Sequence, residues 1–167
     1  MPSLRTLAVA GLGILAACHF EDHTPEGSRR DEAQIREVIV EYYRGFSARD
    51  WAACRKFFAP EAMVSYLEPI NTDSSRVIVA PVDSILLAWT RFAQDSLFPP
   101  PQAQILRADL HQVNGVASVW VTVRQTVPVL PEGREPPLHL EDQEHWVLQR
   151  TSDGWRVVFL TLPWTPR

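Results

Sequence analysis

Two carboxylates near the end of the chain have the type and spacing of an acid–base site. Asp142 and Glu144 alternate with Gln143, so in a strand they share a face with Trp146. Carboxyl groups held among apolar side chains have a raised pKa and can exchange a proton near neutral pH. The same pair at an exposed rim would stay hydrated. The sequence favours the hydrated rim and leaves the buried base as the alternative.

Other kinds of chemical site find little support in the sequence. His139, Glu141, Gln143 and His145 alternate onto the opposite face. Histidines six residues apart in a strand are about 20 Å apart, too far to share one ion, so we predict no metal site. Gly11-Leu12-Gly13 lies in an apolar run near the N-terminus and not between a strand and a helix, so it does not predict a phosphate-binding loop. The sequence also lacks the Gly-x-Ser-x-Gly motif that carries the nucleophile of many serine hydrolases. No cofactor is expected.

Composition limits the class of protein. The chain has 167 residues, of which 46% are hydrophobic and 22% charged, as a single packed domain requires. The formal net charge is −4, and no basic cluster is available to neutralise phosphates. Nucleic acid is therefore not an expected partner.

The helices that must position these residues come first. Asp31 is a predicted N-cap, and an apolar stripe follows it at helical spacing, comprising Ile35, Val38, Ile39, Tyr42 and Phe46. A short helix is predicted from Asp50 to Phe58, and a third from near Pro81 or Asp83 with Trp89 on its buried side. Between them, Met63 to Leu67 has the pattern of a strand.

The second half changes to a period of two. Gln104–Val113 and Val116–Val127 flank Asn114-Gly115, the signature of a type I′ hairpin. This turn would place Leu110 opposite Val119, Ala108 opposite Val121 and Leu106 opposite Val123. A second hairpin is predicted from His139–Thr151 and Trp155–Leu162, turning at Asp153-Gly154. Helices followed by antiparallel strands indicate an α+β domain.

Trp120 falls on the polar side of the first hairpin, with Arg107 on the neighbouring strand. An exposed tryptophan commonly marks an interface, so we expect this surface to support a homodimer. The alternative is a tryptophan covered by its own long neighbours.

The first residues have the pattern of an export signal. Arg5 precedes a short apolar run, Leu7–Leu15, that is too short to span a bilayer. Leu15-Ala16-Ala17-Cys18 resembles the lipobox of bacterial lipoproteins. The resemblance implies a signal peptide at 1–17, lipid on Cys18 that anchors the protein to a membrane, and a tether over 18–30. His19 after the cysteine favours the outer membrane, on its periplasmic side, if the cell is Gram-negative.

The domain over 31–167 resembles a known superfamily. The segments 42–51 and 57–64 are similar to the opening of SnoaL-like and nuclear transport factor 2-like domains, and 146–150 with 153–158 are similar to their ending. The resemblance implies a cone-shaped curved antiparallel sheet wrapped around N-terminal helices, open at one end and frequently dimeric.

The resemblance also implies roles for particular residues. In the ketosteroid isomerases of this superfamily, a first-helix tyrosine polarises the substrate carbonyl, and Tyr42 has the matching place. Tyr66 stands where those enzymes carry the proton-abstracting carboxylate, and Glu68 lies two residues further on the same strand face. Trp146 replaces the second oxyanion donor. The catalytic candidates are therefore Tyr42, Tyr66, Glu68 and Asp142. Of the three catalytic positions of the isomerases, only that of Tyr42 has the matching residue type.

The pocket implied by this resemblance has ten predicted lining residues: Tyr42, Tyr66, Glu68, Trp89, Val121, Asp142, Glu144, Trp146, Phe159 and Thr161. The sequence favours a lipid-anchored, non-catalytic envelope protein whose pocket binds a small apolar ligand or supports protein association. The alternative is an isomerase, dehydratase or cyclase acting on a small hydrophobic carbonyl compound. A purely structural domain would instead fill the cavity with Trp89, Trp146 and Phe159.

Overall fold

The computed structural model describes residues 26–71, 74–95, 102–127 and 138–163. Over these ranges the chain forms helices and strands in the order α1 (Glu26–Ser47), α2 (Trp51–Arg55), β1 (Phe58–Asn71), β2 (Ser74–Pro81), α3 (Val82–Asp95), β3 (Gln102–Val113), β4 (Val116–Val127), β5 (Leu138–Thr151) and β6 (Gly154–Leu162). The predicted signal peptide and Cys18 lie outside the described residues. No helix within the described ranges combines the length and apolar character needed to cross a membrane.

The strands form one curved six-stranded sheet in the order β2-β1-β6-β5-β4-β3. The predicted α+β fold is confirmed, but the sheet is mixed, because β1 runs parallel to β6 while the other neighbours are antiparallel. The strand β2 was not predicted. Its run Val77-Ile78-Val79-Ala80 is apolar on both faces and shows no period of two.

The helices cover one side of the sheet, which we call the inner face. The stripe on α1 is buried there: Ile35, Ile39, Tyr42 and Phe46 are each no more than 5% exposed. Val119, Val121 and Val123 of β4 meet it from the sheet, together with Trp146 and Leu148 of β5. Burial of this stripe against the sheet is the main contribution to the stability of α1.

The β3–β4 hairpin forms as its sequence predicts. Asn114 and Gly115 have φ values of 50° and 78°, as a type I′ turn requires. Leu110 faces Val119 as expected, but Ile105, not Leu106, faces Val123. A bulge at Leu106 inserts one extra residue, which leaves its side chain 39% exposed.

A second bulge, in β6, overturns part of the predicted pocket. Leu148 pairs with Val157, yet the preceding Val147 pairs with Phe159, so Val158 is the extra residue. The side chains beyond it exchange faces, because a shift of one residue reverses the alternation. The prediction that Phe159 and Thr161 line the pocket is therefore wrong: both lie on the opposite side of the sheet, the outer face.

Helix α1 begins at Glu26, five residues before the predicted N-cap. Residues 26–30, which the sequence analysis assigns to the tether, are therefore helical. Asp31 is a buried acceptor for Gln112 Nε2 at 3.0 Å and Trp155 Nε1 at 3.3 Å, and it forms an ion pair with Arg150. These bonds join the start of α1 to the ends of β3, β5 and β6, and we call this end of the domain the closed end.

Candidate functional site

A cavity of about 260 Å³ lies on the inner face at the end opposite the closed end. Its walls come from the last turns of α1, the middle of α3 and one end of β4, β5 and β6. The lining residues are Tyr42, Tyr43, Phe46, Trp89, Gln125, Leu140, Asp142, Glu144, Leu162 and Pro163. Because the cavity is open, the alternative of a domain filled by its own aromatic side chains is not supported.

Glu144 is the most perturbed acid of this cavity. It is only 3% exposed, and the Tyr43 hydroxyl donates a 2.6 Å hydrogen bond to its Oε2. Burial raises the pKa of Glu144 to about 7, although the bond from Tyr43 lowers it, and the charge of Asp142 adds to the rise. A carboxyl group in this state is ready both to accept and to release a proton at neutral pH.

Trp146 forms the floor beneath Glu144. Its side chain is fully buried, and its Nε1–H is close enough to lower the pKa of both Glu144 and Tyr43. Nε1 nevertheless has no hydrogen-bond partner among the described residues. A buried donor without a partner is costly.

Tyr42 supplies a second hydroxyl group to the cavity. It is 5% exposed and its ring packs edge-on against Trp146, with centroids 4.9 Å apart. Burial, together with the charge of Glu144, raises the pKa of Tyr42 well above its ordinary value. The hydroxyl is therefore protonated at physiological pH, and it makes no hydrogen bond to another described residue. It is free to donate one to a molecule in the cavity.

Asp142 stands two residues before Glu144, nearer the opening. Partial burial raises the pKa of Asp142. It has neither an ion pair nor a hydrogen bond with another described residue, in contrast to Glu141 on the outer face, whose Oε1 accepts from Arg124 Nε at 3.0 Å. The prediction of a hydrated rim thus fails for Glu144 and describes Asp142 only in part.

The chain matches the family model of the SnoaL-like domain over residues 28–161. The chain belongs to the SnoaL-like family. A comparison with curated proteins finds no similar sequence.

Solved structures share the fold of this SnoaL-like domain. A nuclear transport factor 2-like superfamily protein from Salmonella enterica is 15% identical with a TM-score of 0.63, covering 84% of this chain and 96% of its own. A proposed dehydratase of the same superfamily from Streptomyces avermitilis is 15% identical with a TM-score of 0.63, covering 83% and 99%. A proposed aromatic ring hydroxylase from Novosphingobium aromaticivorans is 16% identical with a TM-score of 0.62, covering 83% and 92%. At these identities the likeness shows the fold alone.

The SnoaL-like domain brings together only part of the predicted site. Tyr42, Trp89, Asp142 and Glu144 line the cavity, while Val121 and Trp146 are buried beneath it. Tyr66 lies on the inner side of β1, opposite Leu162, but Leu162 lines the cavity and Tyr66 does not.

Glu68 does not line the cavity of the SnoaL-like domain and forms an ion pair with β2. Its Oε2 accepts from Arg76 Nε on β2 at 2.5 Å. Of the four catalytic candidates, the structure therefore places Tyr42 and Asp142 on the cavity wall, and Tyr66 and Glu68 away from it.

Tyr43 is the important residue that the sequence interpretation missed. It follows Tyr42 directly, and the apolar stripe assigns only one of two adjacent tyrosines to the buried side. A pattern of apolar residues cannot show that its hydroxyl meets Glu144, 101 residues later in the chain. The same interpretation also omitted Phe46, Gln125, Leu140, Leu162 and Pro163 from the lining.

The outer face carries the predicted interface residues. Trp120 is 53% exposed and stacks on His145 with centroids 4.4 Å apart, while Arg107 pairs with Asp109. Within the described ranges, no three His, Cys, Asp or Glu side chains are grouped as a metal ion would require. The remaining cysteine, Cys54, is buried, and burial raises the pKa of its thiol to about 12.

Proposed function

We propose that the cavity binds a small molecule with an apolar body and one polar group. The observation that carries this proposal is Glu144, a buried carboxyl group with one hydrogen-bond donor, on the wall of an open cavity that is lined mainly by aromatic and apolar residues. Phe46, Trp89 and Leu140 would contact the apolar body, and a polar group would meet Tyr42 and the carboxyl groups. This arrangement of few polar groups in an apolar wall is typical of ligand sites.

Binding of the neutral dye N-phenyl-1-naphthylamine to the purified protein tests this function. We expect the fluorescence of the dye to rise on binding and Leu140→Trp, which adds bulk to the cavity wall, to weaken the affinity at least tenfold. Leu87→Trp, at a 50% exposed position on α3 that does not line the cavity, is the matched control and should bind as the unmodified protein does. Equal binding by both variants would place the dye outside the cavity.

A second candidate is acid–base catalysis on a small carbonyl compound. The specific observation in its favour is the pKa of Glu144, about 7, beside the protonated hydroxyl of Tyr42. Glu144 would take a proton from the carbon next to the carbonyl while Tyr42 donates a hydrogen bond to the oxygen.

Solvent deuterium uptake into 2-tetralone, followed by proton NMR, tests this reaction. Exchange above the buffer rate should be lost in Glu144→Gln and kept in Glu141→Gln, whose carboxylate is on the other face of the same strand. Exchange that persists in Glu144→Gln would remove this candidate.

We further infer that the full-length protein is exported and held at a membrane by lipid on Cys18. Expression of the full chain with radiolabelled palmitate should label the membrane fraction. Cys18→Ala should abolish the label, and Cys54→Ala, which changes a buried cysteine, should keep it. Label that survives Cys18→Ala would contradict the lipid anchor.

We infer a homodimer through the outer face. Leu67, Val77 and Val79 are 45%, 65% and 53% exposed on that face, and Trp120 extends the apolar surface across the sheet. Light scattering after size exclusion should give a dimer mass, and Trp120→Glu should halve it. Val40→Glu is a control of similar exposure, 45%, on α1. A Trp120→Glu dimer would exclude this interface.

A further inference from the structure

The charge of the cavity is unbalanced. Two of its lining residues are carboxylic acids, and none of the ten described lining residues is Lys, Arg or His. Three other acids of the sheet pair with cations: Glu141 with Arg124, Glu68 with Arg76 and Asp109 with Arg107. Asp142 and Glu144 have no ion pair with another described residue, and unlike Glu61, an exposed residue of β1 that also has none, they line the cavity.

Four of the ten described lining residues are aromatic: Tyr42, Tyr43, Phe46 and Trp89. Phe46 packs edge-on against Trp89 with centroids 5.3 Å apart, and Tyr42 packs edge-on against Tyr43 at 5.4 Å. The faces of aromatic rings attract cations, most strongly where water is excluded.

Tyr42 supplies a further polar group to the cavity. Its side chain is 5% exposed and lines the cavity, and its hydroxyl has no hydrogen-bond partner among the described residues. Because the hydroxyl oxygen has lone pairs, it can accept a hydrogen bond from an ammonium N–H in the cavity.

We propose that the ligand of this cavity is a cationic amine with an apolar body, its ammonium group held beside Asp142 and Glu144 in a cavity that is lined partly by aromatic rings. This inference rests on the proposed binding function and names its ligand class. A carboxylate ligand would meet like charge, and a neutral one would leave both acids without a counter-charge.

The test compares benzylammonium with benzyl alcohol, which have the same apolar body and differ in charge. Calorimetric titration of the purified protein at pH 8 should give benzylammonium at least a tenfold higher affinity. Glu144→Gln and the more exposed Asp142→Asn should each reduce this preference, and Glu141→Gln should keep it. Asp142→Asn keeps the test decisive if Glu144→Gln does not fold.

The preference should also depend on pH. The titratable groups that face Glu144 are Asp142 on β5 and Tyr42 and Tyr43 on α1, and both tyrosines stay protonated over this range. Only protein with an ionised Glu144 should bind the cation tightly. Because the pKa of Glu144 is about 7, the ionised fraction, and with it the affinity for benzylammonium, should rise roughly tenfold from pH 6 to pH 8.

The outcomes separate this inference from the binding function. Equal affinity for benzylammonium and benzyl alcohol, or a preference for the alcohol, would overturn the cationic ligand and leave a neutral-ligand cavity. A protein that binds neither compound and no naphthylamine dye would overturn both proposals. A preference that survives in both carboxyl variants would also overturn the assignment to Asp142 and Glu144.

Discussion

Glu144 should make the free energy of unfolding depend on pH, and Glu144→Gln should remove that dependence. Burial raises the pKa of this group from its ordinary value of 4.5 to about 7 in the folded protein. Between these values the folded state keeps a proton that the unfolded state has lost. Stability therefore falls as pH rises, starting near the unfolded pKa and finishing above the folded one.

The size of the effect follows from this interval. The pKa of Glu144 rises from 4.5 in the unfolded chain to about 7 in the folded protein. Each pKa unit corresponds to about 1.4 kcal/mol, so the total loss of unfolding free energy is roughly 3 kcal/mol. Most of it, roughly 2–3 kcal/mol, should fall between pH 5 and pH 8. Solvent screening does not reduce this figure appreciably, because Glu144 is only 3% exposed. Asp142 is present in both proteins, so its own titration largely cancels from the difference.

Urea titrations followed by tryptophan fluorescence measure this difference. The unmodified protein should lose roughly 2–3 kcal/mol more than Glu144→Gln between pH 5 and pH 8. Glu141→Gln is the matched control, with a half-exposed side chain on the outer face of the same strand. It should follow the unmodified protein. Parallel profiles for Glu144→Gln and the unmodified protein would refute the assignment of a proton to Glu144.

Three further predictions test the surroundings of this group. Tyr43→Phe removes the hydroxyl that donates to Glu144, so the pKa of Glu144 should rise further. The midpoint of the pH–stability profile should then move up by about one pH unit. An unmoved midpoint would contradict the 2.6 Å hydrogen bond. Leu160→Ala should lower the free energy of unfolding by about 2–5 kcal/mol in urea titration, because Leu160 is buried on the inner face. Phe159→Ala, on the outer face, should cost less than half as much. The reverse order would contradict the position of the bulge in β6. Asp31→Ala should cost about 3 kcal/mol because buried donors lose their acceptor, and a cost below about 1 kcal/mol would show that the closed end does not depend on it.

The sequence predicted features whose cause is local. Asn114-Gly115 determines the β3–β4 turn because both residues accept a positive φ, and the turn then fixes the pairing of Leu110 with Val119. The stripe on α1 was predicted for a similar reason, since its spacing follows from the helical period alone.

The two bulges were not predictable in this way. Leu106 lies between Ile105 and Arg107, and Val158 lies inside an apolar run, so the residue type marks neither as a bulge. One inserted residue nevertheless reverses the faces of all residues beyond it. This is why Phe159 and Thr161 were assigned to the pocket while Leu162, which lines it, was not.

The start of α1 illustrates a different limit. Asp31 has the residue type of an N-cap and is followed three positions later by Gln34, so local rules favour a helix start there. Its actual partners, Gln112 and Trp155, are 81 and 124 residues away in the chain. A residue type that suits two roles is decided by tertiary contacts that a single sequence does not reveal.

Asp31 and Glu144 are both buried carboxylates on the inner face, and their partners distinguish their roles. Asp31 has two hydrogen-bond donors and an ion pair with Arg150, so its charge is compensated within the fold. Glu144 has one hydrogen bond, from Tyr43, and an open cavity beside it. At neutral pH its ionisation costs a few kcal/mol of a total stability that is typically only about 5–15 kcal/mol. A cation in the cavity would offset this cost, because a ligand that binds only the folded state stabilises it in proportion to the logarithm of its affinity. The stabilisation by benzylammonium should therefore be greater at pH 8 than at pH 6, where the unliganded protein is itself more stable.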